Sequence, residues 1–154
     1  MWQRIQSVFL GVTILSLLAG LFFPVMGVED GTVYRLYPIY FMVKTKGQIT
    51  TSQYFPFSLT AILMTAALMI ALQEIRRFDN RLLQIKLGTL NSLLLAAVMV
   101  CDVIFSNQMM KNYPLAWKYD FSLYLSFAAV VCNWIAIRFI RRDEKLVRDS
   151  NRLR

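Results

Sequence analysis

Histidine is absent from this sequence. With it go the commonest general base and the commonest metal ligand. Cysteine is almost absent as well. Cys101 and Cys132 stand alone, without the CxxC spacing of a zinc or redox site. They are expected to remain free thiols that pack as small apolar groups. Acidic residues number only 9 against 17 Lys and Arg. The chain has no paired carboxylates, no nucleophile beside a base, no HExxH, no phosphate loop and no discontinuous repeated helices of the transporter kind. These absences exclude the familiar catalytic designs, so neither an enzyme activity nor a cofactor is expected.

What is present is apolar sequence in long runs. The 154 residues make one domain, and 57% of them are hydrophobic, above the usual globular share of about 45–50%. The runs are residues 8–26 (VFLGVTILSLLAGLFFPVM), 55–72 (FPFSLTAILMTAALMIAL), 87–105 (LGTLNSLLLAAVMVCDVIF) and 121–137 (FSLYLSFAAVVCNWIAI). The first carries no charge over 19 residues. At about 1.5 Å per residue it reaches roughly 28 Å, close to a hydrocarbon core of about 30 Å. With flanks included, spans are expected at 5–26, 55–75, 83–105 and 121–140, with an outer loop at 27–54 and a tail at 141–154. The fold class is therefore an all-α integral membrane protein, a four-helix up-down transmembrane bundle. VMG before Val28 would make a tolerable signal-peptide cleavage site, but the apolar stretch exceeds a signal core of roughly 7–15 residues.

The net charge of +8 would suggest nucleic acid in a soluble protein. Here the basic residues lie between hydrophobic runs, so they read as topology signals and the bilayer is the partner they imply. Arg4, the four basic residues at 76–86 and the seven at 138–154 put twelve Lys and Arg on one face, against five (Arg35, Lys44, Lys46, Lys111, Lys118) on the other. Both termini are expected in the cytoplasm. All seven tyrosines, 34, 37, 40, 54, 113, 119 and 124, then fall on the outer side near the interface such rings prefer.

In the outer loop, TVYRLYPIYFMV and QITTSQY are β-prone and KTKG between them is turn material. A small extracytoplasmic β-hairpin between helices 1 and 2 is expected, with Pro38 confining its strand to an edge or breaking it. LYPIYFMV is apolar on both alternating faces, so it should lie against the outer leaflet or cap the bundle. QEIRRFDNRLLQIK reads as a short charged connection turning at Asp79-Asn80. The tail RRDEKLVRDSNRLR contains no Gly or Pro and should continue the fourth helix as a cytoplasmic extension. Glu144 with Arg148 and Asp149 with Arg152 have helical pair spacing. Phe139, Leu146 and Leu153 recur every seven residues. The extension either lies along lipid headgroups, with Arg141 and Arg142, or docks a cytoplasmic partner through that stripe; as a subunit of a complex the chain would also meet a membrane-protein partner.

Small residues dot the runs: Ser7, Gly11, Ser16 and Gly20; Ala67 and Ala71; Gly88, Ser92 and Ala96; Ser122 and Ser126. Such spacing lets helices approach closely in lipid. Asn91 and Asn133 lie well inside the third and fourth runs and are expected to hydrogen-bond across helices. Asp102 stands out as the only carboxylate within an apolar run, and an intramembrane acid is a functional candidate by default. Being close to Phe105, it should sit near the outer interface within reach of water or Lys111. Near a helix C-terminus a negative charge opposes the dipole, which favours a cationic partner. An ion pair is the first reading of Asp102 and a ligand or proton site the second.

The two ends are distinctive. MWQRIQSVFL before a span ending LFFPV, and RRDEKLVRDSNRLR with its basic pair, acidic pair, LV and final RLR, resemble a small membrane family of Bacteroidota designated domain of unknown function 4293. The resemblance implies a bacterial inner-membrane protein whose first span is retained, and it carries no activity or site residue. The function expected is a non-catalytic accessory or assembly subunit of a larger envelope complex. The alternative is a small-molecule or lipid-handling protein with a site near Asp102.

Overall fold

The computed structural model describes residues 3–45, 50–77 and 80–152. In chain order it contains α1 (Gln3–Phe22), β1 (Met26–Asp30), β2 (Thr32–Leu36), β3 (Phe41–Thr45), β4 (Thr51–Gln53), α2 (Ser58–Arg76), α3 (Arg81–Asn112), β5 (Lys118–Tyr119) and α4 (Phe121–Arg152). All four helices are long and apolar enough to cross a membrane, as a helical membrane bundle requires. They form a ring in which α1 packs on α2 and α4, and α3 packs on the same two.

Buried positions run along each helix in alternating steps of four and three. The seams are 6, 10, 13, 17 and 20 on α1; 60, 64, 67, 71 and 74 on α2; 84, 88, 91, 95, 98, 102, 105 and 109 on α3; and 122, 126, 129, 133, 136 and 140 on α4, with Ser16, Ser106 and Ile137 buried beside them. A repeat of 3.5 residues produces left-handed packing of the coiled-coil type. Two glycines on these seams mark close approaches. A Cβ on Gly20 would lie 2.9 Å from the Met64 side chain, and one on Gly88 would lie 2.7 Å from both Glu74 Oε1 and Ile137 Cγ1. Other small residues do not mark contacts: Gly11 has open space there, and Ala96 faces outward.

The first helix is shorter than the apolar run. It ends at Phe22 rather than 26 because Pro24 has no N–H to continue the ladder. The Gly20 carbonyl that such an N–H would have reached accepts a hydrogen bond from Ser122 Oγ at 2.8 Å instead. Beyond the proline, Met26 opens a strand.

The expected hairpin is a five-stranded antiparallel sheet, ordered β4-β3-β2-β1-β5, so the fold is not all-α. Pro38 does break its stretch, into β2 and β3, which pair from Thr32↔Thr45 to Leu36↔Phe41. The remainder of the KTKG turn, Lys46 and Gly47, lies outside the described residues. Met26, Leu36 and Phe41 from the sheet bury against Phe57, just ahead of α2, and Phe105 and Met109 of α3. The sheet thus caps one end of the bundle.

The connection at 73–86 is mostly helix. Only 77–80 separates α2 from α3. Asp79 of the expected turn lies outside the described residues, while Asn80 caps α3 by accepting from the Leu83 N–H at 3.1 Å. The third helix also outruns its expected end at 105, continuing to Asn112. The fourth continues unbroken through the tail to Arg152.

Candidate functional site

The bundle buries polar side chains among its apolar core residues while exposing large apolar ones outside. Gln6, Thr13, Glu74, Gln84, Asn91, Asp102, Ser106, Ser126 and Asn133 are buried, while Val8, Leu15, Ile62, Leu93 and Phe127 are exposed. A water-soluble helical domain has the opposite arrangement. Lipid favours this one, because apolar surface gains nothing by turning inward while polar side chains find partners only in the core.

Asn91 and Asn133 meet as expected. Asn91 Nδ2 donates to Asn133 Oδ1 at 3.1 Å, and Asn133 Nδ2 donates to Ser92 Oγ at 2.9 Å and to the Gly88 carbonyl at 3.2 Å. Gly88 is therefore doubly committed, giving its carbonyl to α4 and its missing side chain to Glu74.

Asp102 departs from the ion-pair reading. It is 2% exposed, and no salt bridge among the described residues reaches it. Lys111 lies nine positions further along the same helix, roughly 13 Å by helical rise. Nor is Asp102 near a helix end, since α3 runs on to Asn112, so the dipole no longer demands a cation. It faces Ser126 of α4. Its Oδ2, Ser106 Oγ and Ser126 Oγ have no hydrogen-bond partner among the described residues.

Glu74 is the residue that sequence reasoning missed. Expected where the second span gives way to the charged connection, it is fully buried, and both carboxylate oxygens lack a hydrogen-bond partner among the described residues. Gln84 Nε2 holds its backbone carbonyl at 3.1 Å. The signal that could have found it is the 67–71–74 spacing, which places Glu74 on the same seam as two buried alanines. Two buried carboxyls thus sit at different depths. Between their levels Leu17, Met64, Leu95 and Val98 belong to one apolar cluster.

The proposed contact residues of the tail separate onto two faces. Phe139, Arg142 and Leu146 line one shallow cleft of about 170 Å³ with Asp143. Arg141 instead lines a groove between α3 and α4. Phe139 is not a free member of the heptad stripe, because its ring stacks on Phe9 of α1 at 5.9 Å. Leu146 and Val147 remain 58% and 42% exposed. Leu153 and the side chains of Arg148 and Arg152, and with them both expected tail pairs, lie outside the described residues. Asp143 binds Arg81 at 3.0 Å and fastens the start of α3 to the tail.

At the capped end an open cleft of about 470 Å³ follows the β1–β5 edge, lined by Glu29, Arg35, Lys118 and Asp120 among others. Arg35 Nη2 donates to Glu29 Oε1 at 2.8 Å. That bond, aided by Tyr37, holds the guanidinium above its ordinary pKa against a slight opposing effect of burial. Cys101 and Cys132 are both free thiols.

Four candidate spanning helices with an inverted polarity pattern, roofed by a small sheet, are what a multi-pass membrane protein presents. The chain belongs to the family described as Domain of unknown function (DUF4293), whose pattern matches residues 2–153. No curated protein matches it.

Proposed function

We propose that this chain is a non-catalytic accessory or assembly subunit of a bacterial envelope complex, seated in the inner membrane with both termini in the cytoplasm. The observation that carries this reading is α4. Its 32 residues extend about 48 Å against a hydrocarbon core of about 30 Å. The surplus carries exposed Leu146 and Val147. Rigid helices that project from a membrane with apolar side chains uncovered suit a partner. The twelve-to-five distribution of Lys and Arg supports the orientation.

Orientation is checked by thiol labelling. With Cys101 and Cys132 replaced by alanine, a cysteine at exposed Asp149 should resist an impermeant maleimide in intact spheroplasts, and one at exposed Thr51 should react. The reverse pattern would invert the bundle.

The accessory role is tested by affinity purification in mild detergent from the native host. Leu146→Ser with Val147→Ser keeps every charge. It should strip a co-purifying membrane protein while labelling at Asp149→Cys stays normal. Each buried aliphatic side chain contributes roughly 1.5–3 kcal/mol, and each 1.4 kcal/mol is tenfold in affinity. A second reading, a small-molecule or lipid site near Asp102, rests on its unpartnered Oδ2. A host phenotype from Asp102→Asn at normal expression, with none from the tail change, would replace the first reading by the second.

A further inference from the structure

The groove that Arg141 lines is independent of the tail stripe and of Asp102. It opens between α3 and α4, has a volume of about 380 Å³, and is walled by Thr89 and Ser92 on one side and Trp134, Ile137, Arg138 and Arg141 on the other. From Trp134 to Arg141 the α4 wall passes, in about two helical turns or roughly 10 Å, from an indole to two guanidinium groups. The apolar end lies deeper within the candidate membrane span.

The polar atoms along the deep part are already committed. Thr89 Oγ1 donates back to the Ile85 and Lys86 carbonyls, and Ser92 Oγ donates to the Gly88 carbonyl while accepting from Asn133. Trp134 and Ile137 supply the apolar lining opposite them. At the rim the opposite holds. Arg138 sits over the Trp134 ring, 5.7 Å from its centroid, a contact that orients a guanidinium without neutralising it. No carboxylate among the described residues pairs with Arg138 or Arg141. Asp143, the nearest acid in sequence, is held by Arg81.

We infer that this groove binds one anionic phospholipid, its phosphate forked by Arg138 and Arg141 and the upper part of an acyl chain lying along Trp134 and Ile137. Arginine is suited to such a head because its planar fork matches phosphate oxygens two at a time. The apolar depth requires a tail, so a soluble phosphate does not fill the site. Neither the direction of the bundle in the membrane nor the presence of a protein partner enters the argument.

Native mass spectrometry of the full-length protein, released from detergent with added dioleoylphosphatidylglycerol or dioleoylphosphatidylcholine, tests this. One phosphatidylglycerol should be retained in preference to phosphatidylcholine. Arg138→Gln with Arg141→Gln should weaken that retention about twenty-five-fold, at roughly fivefold for each basic residue near a lipid head. The charge-matched pair Arg76→Gln with Arg77→Gln, also exposed at this end, should leave it within about twofold. Thr89→Phe keeps all charges and fills the groove, and it should also abolish the preference. Millimolar inorganic phosphate should not displace the lipid. Equal retention of the two lipids would overturn the inference. So would equal losses from the two arginine pairs, full retention by Thr89→Phe, or displacement by free phosphate.

Discussion

Gly88→Ala is expected to lower the thermal unfolding midpoint of the detergent-solubilised protein, whereas Gly11→Ala should leave it unchanged or raise it. Both are helical glycines, and alanine is better than glycine in a helix interior by about 0.5–1 kcal/mol. At Gly11 nothing lies within 4 Å of the added methyl, so that preference acts alone. At Gly88 the methyl would meet Ile137 Cγ1 and Glu74 Oε1, both at 2.7 Å. The carboxyl is the end of a flexible side chain and can swing away, but the Ile137 branch lies close to the α4 backbone and cannot. Overpacking of this kind costs about 1–3 kcal/mol. The penalty should shrink in an Ile137→Ala background, a coupling that a double-mutant cycle reads directly. Equal effects at the two glycines would show that α3 and α4 do not approach at Gly88.

The other large effect is expected at the asparagine pair. Asn133→Leu removes the acceptor for Asn91 and two donated bonds at once. It leaves the Asn91 amide buried without its partner. Orphaning a buried polar group costs about 1–3 kcal/mol, so the denaturant midpoint in mixed micelles should fall clearly. Asn91→Leu with Asn133→Leu should fall by less than the two single changes combined, because neither amide is then stranded. Strict additivity would mean that the two side chains do not bond in the membrane-extracted protein.

The contrast between these asparagines and Glu74 shows what the sequence makes legible. Asn91 and Asn133 are single amides inside otherwise apolar runs, so their isolation announces a partner. Glu74 lies next to Ile75-Arg76-Arg77, where the mean hydropathy falls and a window of residues reads as solvated. Only its step of three from Ala71 reveals the seam. Asp102 was misplaced for the converse reason. Hydropathy drops after Phe105, yet α3 continues because Ser106 and Met109 hold the seam under the sheet. The strands were partly legible. β-branched and aromatic residues announced β2 and β3, and Pro38 announced the break between them. Met26 merged with the apolar run before it, although Pro24 was already the stop signal. The two residues of β5 are too few to carry any pattern of their own.

That short strand imposes an order on assembly. Gly27 pairs with Lys118, and Met26 with Tyr119, across about ninety positions of chain. β2, β3 and β4 can zip onto β1 by successive local turns as soon as they emerge. The other edge of β1 stays open until α3 has been made and has crossed the bundle. Open strand edges recruit other chains, and long-range pairings form slowly. The last two residues added to the sheet therefore cover the Met26–Gly27 part of that edge, and they can do so only after the preceding helix pair is in place.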